Sequence, residues 1–460
     1  MKRSAKHQAQ RTPFAPLIGG INVALPPEQI AENEMQECQN FFFEANTLVG
    51  RGGLRLIYNF EDNIKSMYFD YDTNCTFVFL ENRNAYMVVA SQGEPTVTYL
   101  DKVTGDKKCS CIKFQNKLFI ASGGWLQYYD YDGNSIALKT VTSSYICDRL
   151  FYRWGRLAVC MTGTDNIYYS SVGDATSPQA WIDDSNDDSS SKFIEVGYAD
   201  SGDIIEVVPL ATDIIVFKSN GKAYQITSDS DFNTMTVVNV SSFTDQTVAY
   251  GNGCCATNLG NEVVFLSLRG LRTLTATQDY GNIATGDIGD KFNSLLTTNL
   301  YEPEMWNLRR HKMIIIRPTA SKRFFVCYNY NVGAATTLTF KQDINFFLET
   351  KDDTFIGADN GMYLWDETML TDNGEDIDYK IVTREVISSD EILVKAIDTK
   401  FSANYAGLVT LKIGNRLSVD MPTNTRRKVK CNHSCDVIHM ELTSNCRFMV
   451  NHIILDTVAL

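Results

Sequence analysis

The stretch CTFVFLENRNAYMVV, Cys75 to Val89, decides the predicted fold. It joins an apolar strand-like run to a second run of aliphatic and aromatic residues through a short polar turn. This order predicts a β-hairpin, because asparagine tolerates the positive φ angle that a tight turn requires. The same pattern recurs as far as Trp365, in NKLFIASGGWLQYYD (116–130), GRLAVCMTGTDNIYYSS (155–171), TDIIVFKSNGKAYQI (212–226), NEVVFLSLRGLRTL (261–274), HKMIIIRPTASKRFFVCYNY (311–330) and DTFIGADNGMYLWD (353–366).

The spacing of these hairpins predicts a β-propeller. One four-stranded blade occupies roughly 40 to 50 residues, and successive hairpins begin at about that interval. We therefore expect an all-β chain with six or seven blades over residues 63–372. The first strands of the hairpins begin near Phe77, Leu118, Leu157, Ile214, Val263, Met313 and Phe355.

The two ends of the chain lie outside the repeat. Residues 373–460 contain strand-like runs with no helical pattern between them, which predicts a small C-terminal β-sandwich. Residues 1–62 are interpreted as an N-terminal arm that ends in a docking hairpin. Neither end contains an apolar run of the length that spans a membrane, and we expect a protein without a membrane span that stays in the cytoplasm until it is assembled or released.

The charge balance argues against a general nucleic-acid binder. The 460 residues include 55 Asp and Glu against 42 Lys and Arg, a net charge of −13, whereas proteins that hold the phosphate backbone are usually basic. Local basic clusters are interpreted as solvated termini and loops. They comprise Lys2, Arg3, Lys6 and Arg11, the segment from Arg309 to Lys312, and the segment from Arg426 to Lys430.

No motif of catalysis, metal binding or cofactor binding is found. The 12 cysteines are scattered through a chain without a secretory signal, and they are interpreted as small buried hydrophobic residues. Cys431, His433 and Cys435 alternate along one strand, but their spacing matches no zinc motif. The vicinal pair Cys254 and Cys255 has no histidine nearby. We expect no enzymatic activity, no catalytic residues, no metal and no cofactor.

One acidic run is a candidate calcium site. Residues Asp183 to Ser191 read DDSNDDSSS. The ligand and glycine spacing of an EF-hand loop is absent, so the run is interpreted as a solvated loop.

The N-terminal stretch NFFFEANTLVGRGGL, Asn40 to Leu54, combines three consecutive phenylalanines with a Gly-rich strand end. Glycines at such a position permit close backbone approach. One interpretation is a segment laid across a preformed surface, with Phe41, Phe42 and Phe43 filling a groove on the propeller or on a neighbouring subunit. Arg51, Gly52 and Gly53 would form its close contact. The alternative is that the stretch is simply the first hairpin of the propeller.

Residues 17–54, LIGGINVALPPEQIAENEMQECQNFFFEANTLVGRGGL, resemble the N-terminal signature of the tail nozzle or tail hub (tubular tail) proteins of short-tailed bacteriophages. Many members of that family have Arg-Pro-Gly at the end of the signature, whereas Gly52 replaces the proline here. The matching positions are Gly19, Gly20, Ile21, Pro26, Asn40, Leu48, Arg51, Gly53 and Leu54.

The resemblance implies a structural protein of the virion tail. Such proteins are β-propeller protomers that assemble as a ring, typically a homohexamer, below the portal and its adaptor. The ring forms the channel through which double-stranded DNA leaves the capsid, and it contacts tail tip or fibre proteins. No catalytic residues come with the family. The acidic balance fits a conduit wall that does not hold DNA.

Two other functions remain open from the sequence. A propeller can serve as a glycan-binding, receptor-binding tail module, and it can also carry a glycan hydrolase site built from two carboxylates. No pair of carboxylates is marked by a motif in this chain.

Overall fold

The computed structural model describes residues 10–14, 16–45, 47–89, 94–132, 136–141, 145–227, 231–232, 234–240, 249–250, 253–254, 256–276, 283–404, 406–414 and 417–459. Within these residues the regular secondary structure is almost entirely β-strand. Short non-strand elements are the α-helix Asn293–Thr297 and the 3-10 helix Pro178–Trp181.

Seven four-stranded antiparallel units follow one another in the described part of the chain, and each is a blade of a β-propeller. The predicted hairpins form the second and third strands of these blades.

The strands of blades 1 to 4 are given in chain order. Blade 1 contains Ile64–Asp70, Cys75–Leu80, Asn84–Val89 and Thr96–Lys102; blade 2 contains Ser110–Phe114, Lys117–Ala121, Gln127–Asp130 and Lys139–Thr140; blade 3 contains Ile146–Arg153, Arg156–Met161, Asn166–Tyr169 and Lys192–Glu195, with Gly124–Trp125 beside it; blade 4 contains Ile204–Leu210, Asp213–Lys218, Ala223–Ile226 and Val237–Asn239.

Blades 5 to 7 complete the ring. Blade 5 contains Ala256–Asn258, Glu262–Ser267, Gly270–Ala276 and Ile283–Asp287; blade 6 contains Glu304–Leu308, Met313–Arg317, Phe324–Asn329 and Ala334–Thr339; blade 7 contains Ile344–Glu349, Thr354–Ala358, Gly361–Asp366 and the N-terminal strand Gly53–Asn59, with the short pair Thr371–Asp372 and Glu375–Asp376 at its edge; the pair Ala249–Tyr250 and Gly253–Cys254 precedes blade 5.

A hydrophobic core fills the space between each pair of neighbouring blades. Phe77 and Phe79 of blade 1 pack with Leu118 and Ile120 of blade 2, for example. Equivalent cores follow around the ring, and the last one joins blade 7 to blade 1. The propeller predicted from the sequence is therefore confirmed, and the described residues give it seven blades.

Two further sheets enclose a separate core beside blades 6 and 7. The terminal sheet contains Gln10–Pro13, Phe41–Glu44, Thr47–Gly50, Val386–Ser402, Arg426–Ile438 and Met449–Ala459; the linking sheet contains Gly20–Ile21, Glu34–Gln39, Tyr379–Thr383, Leu408–Ile413, Leu417–Pro422 and Met440–Ser444. Side chains of both sheets meet in one buried cluster that includes Phe41, Leu411 and Leu455. This sandwich joins the propeller where Gln39 pairs with Thr337 of blade 6.

The segment predicted as an N-terminal arm is divided between these two parts. Strand Gly53–Asn59 pairs antiparallel with Gly361–Asp366 and closes blade 7. The preceding strands from Gln10 to Gly50 belong to the sandwich. The sandwich is thus built from both ends of the described chain. Its strands pair across more than 300 residues of sequence.

Candidate functional site: the junction of the N-terminal strands with blades and sandwich

The three phenylalanines form a two-sided wedge in strand Phe41–Glu44. Side chains alternate along a strand, so Phe41 and Phe43 point into the sandwich core while Phe42 points the other way. All three are buried, with 0%, 2% and 4% of their surface exposed. They therefore pack within their own chain. Phe42 enters the core between blades 6 and 7 of the propeller, whereas Phe41 and Phe43 lie in the sandwich core and not in a groove of the propeller.

Each side of the wedge makes aromatic contacts. The ring of Phe41 packs edge-to-face on Tyr379 at 5.6 Å and on Phe448 at 5.1 Å between centroids. The ring of Phe42 packs edge-to-face on Trp365 of blade 7 at 6.3 Å and on His311 at 5.9 Å. One short strand thus ties the sandwich to the core between blades 6 and 7.

Arg51 lies at the centre of the junction, with 1% of its side chain exposed. It forms a bidentate ion pair with Asp372: Nη1 donates to Oδ1 at 2.8 Å and Nη2 to Oδ2 at 2.6 Å. Its other donors bind Asn40 Oδ1 at 3.1 Å, the Gly52 carbonyl at 2.9 Å and the Thr339 carbonyl at 2.6 Å. All five guanidinium N–H groups therefore have partners, which is the condition for holding this charge in a dry interior.

Neighbouring groups complete the shell around the guanidinium. The ring of Phe340 lies 4.3 Å from its Cζ atom, a cation–π contact. Tyr379 donates its hydroxyl to the Arg51 carbonyl at 2.7 Å, and burial raises the pKa of Tyr379. Asn40 has a φ of 64° and also bonds Thr339, so an asparagine suits this left-handed position.

Gly52 and Gly53 leave no room for side chains. A Cβ atom at Gly52 would lie 2.4 Å from the Asp366 carbonyl oxygen, and one at Gly53 would lie 2.1 Å from the Thr371 carbonyl oxygen. The two glycines let the N-terminal strand approach the backbone that follows blade 7, as the sequence suggested.

The sequence reasoning found Phe41 to Phe43, Arg51, Gly52 and Gly53, and the structure brings all of them together at this junction. It missed Asp372 and Tyr379, which follow the last blade. A signal existed, since an arginine between apolar strands requires a carboxylate partner. No local sequence pattern identifies which carboxylate is the partner. The contacts of the junction are aromatic packing, hydrogen bonds and one buried ion pair.

A second charged cluster crosses the propeller axis. Lys108, which precedes blade 2, pairs with Glu304 of blade 6, two blades that are not neighbours. Arg317 Nη2 lies 3.1 Å from Glu304 Oε1, and the Lys108 ammonium lies 5.6 Å from the centre of the Trp306 ring. Burial lowers the pKa of Lys108. The centre of the propeller is therefore bridged by side chains.

The other candidate groups do not form sites in the described residues. His, Cys, Asp and Glu side chains come together nowhere in this part of the chain in a set that could hold a metal ion, and this applies to Cys431, His433 and Cys435. Cys255 of the vicinal pair and the basic residues Lys2, Arg3 and Lys6 lie outside the described residues. No helix among the described residues is long and apolar enough to cross a membrane.

Comparison with known proteins gives similarity of fold. No family model matches the chain, and no curated protein matches it. Similar solved structures include BamB from Moraxella catarrhalis, at 12% identity over 71% of this chain and 94% of that chain with a TM-score of 0.40. The Pan2 WD40 domain of Neurospora crassa matches at 8% identity over 71% and 97% of the two chains, with a TM-score of 0.46. Virginiamycin B lyase from Staphylococcus aureus matches at 10% identity over 68% and 97%, also with a TM-score of 0.46.

Proposed function

We propose that this protein is a structural ring component of a phage tail, a nozzle or hub below the portal and its adaptor, whose ring forms the exit channel for double-stranded DNA. One observation supports this more than any other. Asn40, Arg51 and Gly53, which match the nozzle signature, make contacts in the same buried junction. These residues fix the sandwich to the propeller, and a ring requires protomers whose parts keep a fixed relative position.

Four of the remaining matching positions are also buried. Ile21, Leu48 and Leu54 are buried at 3%, 2% and 0% exposure. Gly20 has a φ of +74°, and a Cβ atom there would lie 2.8 Å from the backbone nitrogen of Ala335. A signature most of whose members are buried at or beside one joint favours a structural protein over an enzyme, and we propose that the chain has no catalytic activity.

The proposed ring is a homohexamer in the virion tail, in contact with the portal adaptor above and with tail tip or fibre proteins below. Because Lys108 and Glu304 bridge the propeller axis, the DNA channel of this proposal runs between protomers rather than through a propeller.

Electron microscopy with two-dimensional averaging tests the proposal. The purified protein is imaged alone and mixed with its candidate portal adaptor. Rings with six-fold symmetry and an open channel in either sample are the expected result. Isolated propellers in both samples at micromolar concentration would refute the ring function.

A glycan-binding tail module is the second candidate, and one surface favours it. Tyr58 and Tyr99 lie on the outer strands of blades 7 and 1 and are 38% and 46% exposed, and Tyr86 lies on the strand next to Tyr99. Glu61 lies beside them and accepts a hydrogen bond from Tyr86 at 2.7 Å. Exposed aromatic rings next to a carboxylate suit the apolar face and the hydroxyls of a sugar. Retention on a glycan array that Tyr99→Ala abolishes would support this candidate, and turnover of the bound glycan would indicate a hydrolase.

A further inference from the structure

The outer face of the terminal sheet is basic at the end that carries Arg426, although the chain as a whole is acidic. The acidic residues at this end are Asp398 and Asp456, which pair with Arg426 at 2.6 Å and with Lys428 at 2.5 Å. Two further exposed carboxylates, Glu391 and Asp436, lie towards the other end of the same strands. Among the described residues, neither Lys400 nor Lys430 on this face has an ion-pair partner. The exposed cations of the face are Arg11, Lys400, Arg426, Lys428 and Lys430.

This face lies at an open edge of the sheet. Strand Arg426–Ile438 is the last strand of the terminal sheet and pairs with Val386–Ser402 on one side only in the described part of the chain. Its residues from Arg426 to Lys428 are exposed. The basic face and the open edge thus form one accessible surface, called here the basic edge.

The surface of opposite charge is the loop of residues 182–189 in blade 3, called here the acidic loop. It carries Asp183, Asp184, Asp187 and Asp188, all exposed, and Lys192 pairs with the first of these at 2.9 Å.

A buried arginine holds this loop in place. Arg156 is 3% exposed and donates to the backbone carbonyls of Ser170 at 2.7 Å, Ser190 at 2.5 Å and Asp188 at 2.5 Å. The acidic side chains therefore project from a backbone that is fixed to blade 3. Two exposed large apolar side chains accompany these carboxylates: Ile182, the first residue of the loop, at 60% exposure, and Phe193, which follows the loop, at 56%. A surface with exposed apolar groups inside a charged rim is typical of a protein interface.

The two surfaces lie at opposite ends of the molecule. The sandwich is attached at blades 6 and 7, through the pairing of Gln39 with Thr337 and through strand Gly53–Asn59. Blade 3 is three blades from blade 6 in one direction and three blades from blade 7 in the other. It is therefore the blade farthest from the sandwich.

We propose that the basic edge of one copy binds the acidic loop of blade 3 in a second copy. The inference rests on the proposed ring function and names its protomer contact. Charge complementarity selects the partner, because residues 63–372 contain 25 Lys and Arg against 37 Asp and Glu, so a second propeller is an acidic target. A contact between opposite ends of identical subunits is heterologous, and such contacts generate rings when the rotation closes.

Charge reversal tests the contact without touching the internal ion pairs. K400E/K430E changes the two lysines that lack partners, and D184K/D188K changes the acidic loop while leaving the Asp183–Lys192 pair. D352K/D376K reverses two exposed carboxylates elsewhere and is the matched control. Ring formation is measured by native mass spectrometry and negative-stain imaging, with the adaptor present if wild type requires it. Circular dichroism confirms that each variant is folded.

We expect each interface variant to need on the order of tenfold more protein for half-assembly, since close charge pairs across an interface are coupled. The control should assemble like wild type. An equimolar mixture of the two interface variants should recover rings, because every contact in an alternating ring then joins opposite charges. The wild-type rings should also weaken from about 0.05 M to about 0.5 M salt.

The outcomes separate this inference from the proposed function. If wild type forms rings and both K400E/K430E and D184K/D188K form them equally well, the contact is overturned and the ring function stands. The contact is also overturned if K400E/K430E forms normal rings but loses retention of a DNA duplex, because the basic edge then serves DNA. Absence of rings in wild type with and without the adaptor would overturn both.

Discussion

Replacing Arg51 by methionine should destabilise the junction severely. The change keeps much of the side-chain volume but leaves the Asp372 carboxylate, 0% exposed, without its counter-charge. It also removes the N–H groups that donate hydrogen bonds to the Thr339 and Gly52 carbonyls. Removing one partner of a buried ion pair costs about 3–5 kcal/mol, because the remaining charge is desolvated and uncompensated. We expect a loss of this size in the free energy of unfolding.

The double variant R51M/D372L distinguishes the charge effect from lost packing. With both charges gone, no uncompensated ion remains, and apolar replacements of buried ion pairs are often nearly neutral. The double variant should therefore lose at least about 2 kcal/mol less than the sum of the two single variants, as coupled neighbours do. Arg55→Met is the matched control, since its pair with Asp366 is 3.5 Å long and its side chain is 52% exposed, and it should cost less than about 0.5 kcal/mol.

Urea unfolding followed by tryptophan fluorescence measures these differences, because Trp365 lies in the core next to the junction. Limited proteolysis should cut R51M near its N-terminus before the propeller is degraded. The reasoning is refuted if R51M unfolds within about 1 kcal/mol of wild type, or if the double variant loses the full sum of the single losses.

Three further predictions concern neighbouring features. Gly53→Ala should destabilise the protein by about 2 kcal/mol or more in urea unfolding, because its Cβ would lie 2.1 Å from the rigid Thr371 carbonyl oxygen, and wild-type stability would contradict the close approach. Phe42→Ala should lower the free energy of unfolding by about 3–5 kcal/mol, because it truncates a buried aromatic side chain. It should lower the ring yield only to the extent that it unfolds the protomer. A fully stable variant that forms no rings would instead mean that Phe42 acts in assembly. Arg426 holds the pKa of Asp398 below its usual value, so the carboxylate stabilises the fold above the unfolded pKa of about 3.9, and this contribution is lost as pH falls through the lowered folded pKa. Asp398→Asn should therefore flatten the acid side of the stability profile, and an unchanged profile in acid titration would refute the assignment.

The propeller could be predicted because its blades are local. Each predicted hairpin joins two strands through a short turn, so alternation and turn residues suffice to identify it. The sequence left six and seven blades open because blade 7 takes its fourth strand, Gly53–Asn59, from the other end of the chain. A pairing between residues 300 positions apart has no local pattern that would reveal it.

The candidate site also divides into features that are local in the sequence and contacts that are not. Phe41 to Phe43 and the glycines were identifiable from composition, because such residues suit a close contact. Their partners were not, since Arg51 and Asp372 are 321 residues apart in the sequence, and Phe42 and Trp365 are separated by a similar length of chain. Physical chemistry required a carboxylate for Arg51, but only the fold determines which of the 55 acidic residues supplies it.

The bridged propeller axis constrains any function that involves DNA. Lys108 and Glu304 form an ion pair across the centre, with Arg317 beside Glu304, and Arg149 of blade 3 pairs with Glu206 of the neighbouring blade 4 at 3.2 Å. A duplex cannot replace these contacts without opening the blades, whose cores join all seven into one ring. A channel for DNA must therefore be made by several copies, and its wall by surfaces that the single chain exposes. Because the excess of acidic residues lies in the propeller, a lumen bounded by propeller surface would repel phosphate, whereas one bounded by the basic edge would attract it. If the basic edge is covered by a neighbouring copy, as we infer, the lumen is left acidic and DNA can pass without being held.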